Sequence, residues 1–310
     1  MYKETRPSRS EFVAIRGLSY HVRVWNAAPQ ASAAAPLVLV HGWMDVAASY
    51  QFMVDAFSSA FAAGRTIIAP DWRGFGHSGR VGAGYAADSY WFADYLADLD
   101  QLLDHYAPGQ PVDLAGHSMG GNVAMLYAGI RPERIRRLVN LEGFGLPASR
   151  PSQAPGRYAQ WMDALKSLEC GELTTKPYAD IGGVASRLMR TNPRLTLDKA
   201  QWLANHWAAL DADGQWRILG NPAHKITSAQ LYRLDEVLEI YRRIAAPVLA
   251  VEAASDSMAQ WWKGAYTLAE HHERLQQVPN AQVAVMQDAG HMLHHDQPAA
   301  LARLIEDFLA

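Results

Sequence analysis

The 310-residue sequence predicts an α/β architecture, a mostly parallel sheet covered by helices on both faces and interrupted by a helical insertion. Three observations carry this. Short apolar runs with the length of buried strands alternate with segments of helical periodicity, the pattern of a layered α/β domain. Ser118 lies in Gly116-His117-Ser118-Met119-Gly120, directly after the apolar run Val112–Ala115 and before the helix-forming stretch Gly121–Ala128. Residues from about 146 to 233 break the alternation, with helical runs and no convincing buried strand.

Taken in order, Glu11–Arg16 and Tyr20–Trp25, joined by Gly17-Leu18-Ser19, read as a leading antiparallel hairpin. Ala27–Ala35 is a low-complexity surface loop. Leu37–Val40 and Thr66–Ala69 are buried strands, and the turn Asp71-Trp72-Arg73-Gly74 is expected to act as scaffold, its aspartate and arginine fixing nearby loops. Phe92, Tyr95, Leu96, Leu99, Leu102 and Leu103 recur at helical spacing, so Tyr90–Tyr106 is a packed helix, with Asp94, Asp98 and Asp104 expected to face solvent. Arg137–Leu141 is a strand ending at Glu142. Helical runs over Tyr158–Leu168, Ala179–Arg190 and Lys199–Leu210 follow, entered through Pro147, Pro151 and Pro155. They define a cap over residues 146–233, leaving 1–145 and 234–310 as the core. Pro247–Glu252 and Val283–Met286 complete the strand set.

A serine flanked by glycines two residues before and two after it, between a strand and a helix, is the pattern of a nucleophile elbow. The tight turn strains the serine backbone and projects its hydroxyl, and the glycines let strand and helix approach. A hydroxyl is a poor nucleophile at neutral pH, so the chemistry requires a base and an acid to orient that base. His291, in the Gly-containing loop after the last strand, is the candidate base; His294, His295, His271 and His272 read as polar surface or loop residues. For the acid, Asp256 follows the strand Pro247–Glu252 and leads, while Glu142, at the end of the preceding strand, is the alternative.

His41-Gly42-Trp43, Asp71-Trp72-Arg73-Gly74-Phe75-Gly76-His77-Ser78, Gly116–Gly121 and Gly290-His291 occur in this order, and with them the chain resembles the α/β-hydrolase superfamily in its cap-bearing, esterase-like branch. The resemblance runs from about residue 11 to the C-terminus and is poor in the middle. It implies an α/β-hydrolase fold with an eight-stranded, mostly parallel sheet. It also implies an oxyanion hole built from the backbone amides of Met119, after the nucleophile, and Trp43, in the loop after the Leu37–Val40 strand. Alanine stands at position 253 where the family's strand-end Gly-X-X-Asp carries glycine, which is why Asp256 and Glu142 both stay open.

Composition narrows the class further. A formal net charge of −3 argues against a nucleic-acid partner. The single cysteine, Cys170, rules out an intrachain disulfide and fits a reducing compartment. The polar N-terminus lacks the apolar core of a signal peptide, and no run of 18 apolar residues is present, so a cytoplasmic protein without a membrane span is expected. With no His-Glu-X-X-His and one cysteine, no metal or cofactor is expected.

These readings combine into a serine hydrolase acting on a small-molecule carboxylic ester, with thioesters and lactones in reach. Trp161 and Trp207 of the cap are expected to line a pocket for a hydrophobic arm. Ser118 argues against dehalogenases and epoxide hydrolases of this fold, which attack with an aspartate. Carbon–carbon bond hydrolases and cofactor-free haloperoxidase-like perhydrolases share the serine triad and stay open, as does a non-catalytic binding protein on the same scaffold.

Overall fold

A computed structural model describes residues 2–26, 34–81, 84–85 and 87–310. Eight strands form the main sheet: β1 (Arg9–Ile15), β2 (Leu18–Trp25), β3 (Leu37–Val40), β4 (Ile67–Pro70), β5 (Val112–His117), β6 (Ile135–Leu141), β7 (Val248–Ala253) and β8 (Ala281–Met286). Their spatial order is β1-β2-β4-β3-β5-β6-β7-β8. β1 and β2 pair antiparallel, as do β2 and β4, and every other pairing is parallel. The mostly parallel sheet of the sequence reading is therefore present. Residues 27–33 of the expected surface loop lie outside the described residues.

The leading hairpin is tighter than expected. Arg16 and Gly17 have φ of 48° and 76°, the two consecutive positive values of a two-residue turn whose twist matches paired strands. Leu18 and Ser19 are thereby released into β2, opposite Ile15 and Ala14.

Strand alternation sorts the core into two layers. Leu37 and Leu39 of β3 join one buried cluster with α1 (Gln51–Ala56), α2 (Ser59–Ala63) and α12 (Pro298–Leu309). Val38 and Val40 join the other, with α3 (Phe92–Tyr106), α4 (Met119–Ile130) and α8 (Leu234–Tyr241). With both faces covered, the central strands β3 (LVLV) and β4 (IIAP) are apolar throughout.

Asp98 is a correction to the sequence reading: it is fully buried. It lies three residues after Tyr95 and four before Leu102, on the apolar stripe itself, where Tyr20 Oη donates to it at 2.6 Å, Arg73 Nη2 at 2.6 Å and Arg16 Nη1 at 3.0 Å. Two guanidiniums and a phenol offset the desolvation of the carboxylate. The 71–74 turn is held in a similar way, Asp71 accepting from the Ala47 amide at 2.8 Å and contacting His21 Nδ1 at 2.7 Å.

Between β6 and α8 run α5 (Ala154–Glu169), α6 (Ile181–Thr191) and α7 (Leu197–Trp207). Three short antiparallel strands also occur there, Pro177–Tyr178, Ala208–Leu210 and Trp216–Ile218, at two or three residues too short to leave an alternating pattern in the sequence. Ala200, Leu203, Ala204 and Trp207 line one face of α7 and pack, with Val184 and Leu188 of α6, on Val46 and Phe52 of the core. Among the described residues no helix is long and apolar enough to cross a membrane.

Candidate active site

Ser118 stands between the last residue of β5 and the first of α4, with φ 52° and ψ −116°. A non-glycine residue in this region carries of order 1–3 kcal/mol of strain, held here by the surrounding packing. Its amide donates to the Leu141 carbonyl at 2.8 Å, and its carbonyl accepts from the Asn122 amide at 3.0 Å. The flanking glycines are required by contact: a Cβ on Gly116 would meet the Gly120 carbonyl oxygen at 2.3 Å, and one on Gly120 the Val40 oxygen at 2.1 Å. Strand and helix thus touch backbone to backbone, leaving the Ser118 side chain facing a cavity.

Beside the elbow, Glu142 Oε2 lies 3.2 Å from His291 Nδ1. Glu142 follows β6 with φ 55°, and its two carboxylate oxygens also accept from the Ala253 amide at 2.7 Å and the Ser257 hydroxyl at 2.8 Å. Asp256, the leading acid of the sequence reading, is placed elsewhere: it is exposed and its carboxylate accepts from the Ala259 amide at 2.9 Å, capping α9 (Ser257–Trp262). An aspartate with a free amide three residues ahead at a helix start satisfies that donor locally. Glu142, one methylene longer, reaches across the ends of β6 and β7.

His291 is wedged between two rings, 4.3 Å from the Trp261 centroid and 4.6 Å from that of His117. Its carbonyl accepts from His117 Nε2 at 2.8 Å, which ties the loop carrying His291 to the residue before Ser118. Ser118 and His291 form no direct hydrogen bond here; such contacts commonly tighten only around a bound substrate. Burial pushes the His291 imidazole to about 3 and lifts the Glu142 carboxyl to about 7, each toward its neutral form. Their 3.2 Å contact works in the opposite sense, favouring imidazolium against carboxylate.

The cavity beside Ser118 has a volume of about 890 Å³ and a largely apolar wall that includes Phe92, Leu126, Phe144, Trp261 and Trp262, joined by Gln153, just before α5, and Arg157 of α5. Trp43 and Met119, the two candidate oxyanion donors, both border it. A Cβ on Gly42 would lie 3.2 Å from Ser118 Cβ, so the chain entering Trp43 runs directly against the elbow. The expected pocket tryptophans are not among the lining residues. Trp207 faces the core, buried, with its indole N–H donating to Asp45 Oδ1 at 2.9 Å. Trp161 meets the edge of Trp91, centroids 6.1 Å apart. The tryptophans that do reach the cavity belong to the core, Trp43 after β3 and the Trp261-Trp262 pair that ends α9.

Three histidines expected at the surface are buried: His271, His294 and His295. His272, on the outer face of α10 (Leu268–Leu275), pairs with the buried Glu252 at 2.8 Å.

The fold and this site define an α/β hydrolase, and comparison with known proteins agrees: residues 35–298 match the model of the α/β-hydrolase fold family, so the chain belongs to that family. It is 25% identical over 308 residues to the AB hydrolase superfamily protein YfhM of Bacillus subtilis, covering 97% of this chain and 98% of that one. A 2-hydroxymuconate semialdehyde hydrolase of Pseudomonas putida is 27% identical, with 89% of this chain and 87% of the relative covered. Among solved structures, the thioesterase domain from the curacin biosynthetic pathway superposes with a TM-score of 0.79 at 25% identity, over 97% of this chain and 99% of the other. The chain is accordingly an enzyme of the hydrolase class.

Proposed function

We propose that this chain is a serine hydrolase that cleaves a carboxylic ester or thioester bearing an apolar acyl arm, through an acyl-enzyme. The observation that carries the reading is the strained Ser118 lining an apolar cavity of about 890 Å³, with Glu142 of the Glu142–His291 pair lining it too. In this mechanism Ser118 Oγ attacks the acyl carbon while His291 Nε2 takes its proton. Glu142 holds Nδ1–H, which fixes the tautomer and stabilises the imidazolium as it forms. The amides of Met119 and Trp43 receive the oxyanion. His291 then protonates the leaving alcohol or thiol, and water repeats the sequence on the acyl-enzyme.

The preference for an acyl arm rests on the apolar wall, and residues 146–233 act as the cap that closes the cavity through α5. The exposed, unpaired Cys170 fits a cytoplasmic address. A panel of p-nitrophenyl esters and acyl thioesters of graded chain length tests the reading. Turnover of medium or long chains above acetate is expected. Absence of hydrolysis on every member, together with no labelling of Ser118 by a fluorophosphonate, overturns it.

A further inference from the structure

Next to the elbow, and not among the residues lining the cavity, three side chains from separate segments converge. Asp45 comes from the turn after β3, His117 ends β5, and His294 lies in α11 (Leu293–Asp296). Each is at least 97% buried, and their ligating atoms all lie within 4.8 Å of one another. The His117 and His294 ring centroids are 4.5 Å apart.

The hydrogen bonds of this cluster leave it rich in lone pairs. Asp45 Oδ1 accepts from the Val46 amide at 2.9 Å, from Trp207 Nε1 at 2.9 Å and from the Ser49 hydroxyl, while Oδ2 has no partner. His117 donates its Nε2–H to the His291 carbonyl, so Nδ1 carries a lone pair, and Nδ1 too is unpartnered. Both ring nitrogens of His294 lack partners. An orphan buried polar atom forfeits its hydration with nothing in return, so four in one place require an explanation. A buried carboxylate facing two imidazoles lacks positive charge, and buried charges are paired or coordinate metals.

We propose that Asp45, His117 and His294 form a site for one divalent cation of the zinc type, buried next to the nucleophile elbow. Two imidazoles and a carboxylate are a common zinc donor set, leaving a fourth position for water. The outer contacts match that role at two of the three ligands: a metal-bound histidine typically passes its other N–H to a backbone carbonyl, as His117 does, and a ligating carboxylate is itself hydrogen-bonded, as Asp45 Oδ1 is, while the second ring nitrogen of His294 stays unpartnered. A cation here clamps together the loops that carry Trp43, Ser118 and His291. It runs against the expectation, drawn from sequence motifs, that no metal is bound. Sequence motifs gave no sign of it because each ligand comes from a different, distant segment.

The test does not depend on hydrolysis. The chain is produced in medium supplemented with Zn²⁺, freed of loose metal by gel filtration, and its metal content and zinc X-ray absorption are measured. One zinc per chain, with two imidazole nitrogens and a carboxylate oxygen in the coordination shell, is the expected result. Asp45→Asn, which keeps Oδ1 and replaces Oδ2 by a donor, and His294→Gln should each weaken binding at least 10-fold, while His291→Gln retains the metal. Less than about 0.1 zinc per wild-type chain, a background level, overturns the site. Zinc whose loss follows His291→Gln rather than the other two overturns it equally, by placing the metal at the cavity.

Discussion

Glu142, not Asp256, stands within hydrogen-bond reach of His291, at 3.2 Å, while Asp256 is engaged by the Ala259 amide at the start of α9. Replacing an orienting carboxylate by its amide in a serine triad costs about 10⁴ in turnover. Glu142→Gln is expected to lose kcat on that order and Asp256→Asn to leave it within a few-fold. Asp256→Ala should instead lower stability by about 1 kcal/mol, the usual worth of an N-cap. Steady-state kinetics and urea unfolding of the three variants check both halves.

The Ser118 backbone gives a stability prediction as well as an activity one. Ser118→Ala and Ser118→Gly should both abolish ester hydrolysis and fluorophosphonate labelling. Only glycine relieves the φ of 52°, so Ser118→Gly should unfold at a higher denaturant midpoint than Ser118→Ala, corresponding to about 1 kcal/mol of unfolding free energy. Equal midpoints would show that the elbow stores no strain.

Acidification should act through the Glu142–His291 pair. The working state needs Glu142 ionised and His291 neutral, and burial raises the Glu142 carboxyl to about 7. The pair therefore takes up its first proton near neutrality, and kcat/KM should fall about tenfold per pH unit below that point. For stability the sign is opposite to that of a salt-bridged carboxylate. A folded-state value raised above the unfolded one means that ionised Glu142 destabilises the fold, fully above about pH 7 and not at all below the ordinary carboxylate range. Glu142→Gln should thus raise Tm at pH 8 relative to the wild-type chain and leave it nearly unchanged at pH 4.

Cavity shape should follow the residues that line it. Trp261→Ala and Phe144→Ala are expected to shift the preferred ester by one or more methylenes, each worth about 1–3 kcal/mol in an apolar pocket. Trp161→Ala should leave chain-length preference unchanged. Trp207→Phe should leave it unchanged too but lower Tm, because the indole N–H to Asp45 is lost. A graded ester series together with thermal unfolding distinguishes the four.

The parts of this molecule that were legible in the sequence are those governed by local rules. Apolar runs marked the strands, and the paired glycines around Ser118 marked a contact that only backbone can make. What escaped was set by tertiary reach. Glu142 and Asp256 both end strands, and only the placement of α9 decides which one faces His291. Asp98 sits on the apolar stripe of α3, but its charge suggested solvent because the arginines that neutralise it lie in β1–β2 and the 71–74 turn, remote in sequence. Trp207 and Trp261 are equally aromatic on paper; α7 packs inward on Val46 and Phe52, whereas α9 ends at the cavity mouth.

Because Gly116 and Gly120 leave no room for a single added methyl, the geometry that presents residue 118 is insulated from substitution at the positions that build it. Variation in reactivity has to be carried by what hangs from the frame: the side chain at 118 itself and the loops holding Trp43, Glu142 and Trp261. An engineer seeking new chemistry on this chain would keep residues 116–121 as a fixed mount. Exchange at 118 for cysteine or aspartate alters the nucleophile while its position stays put.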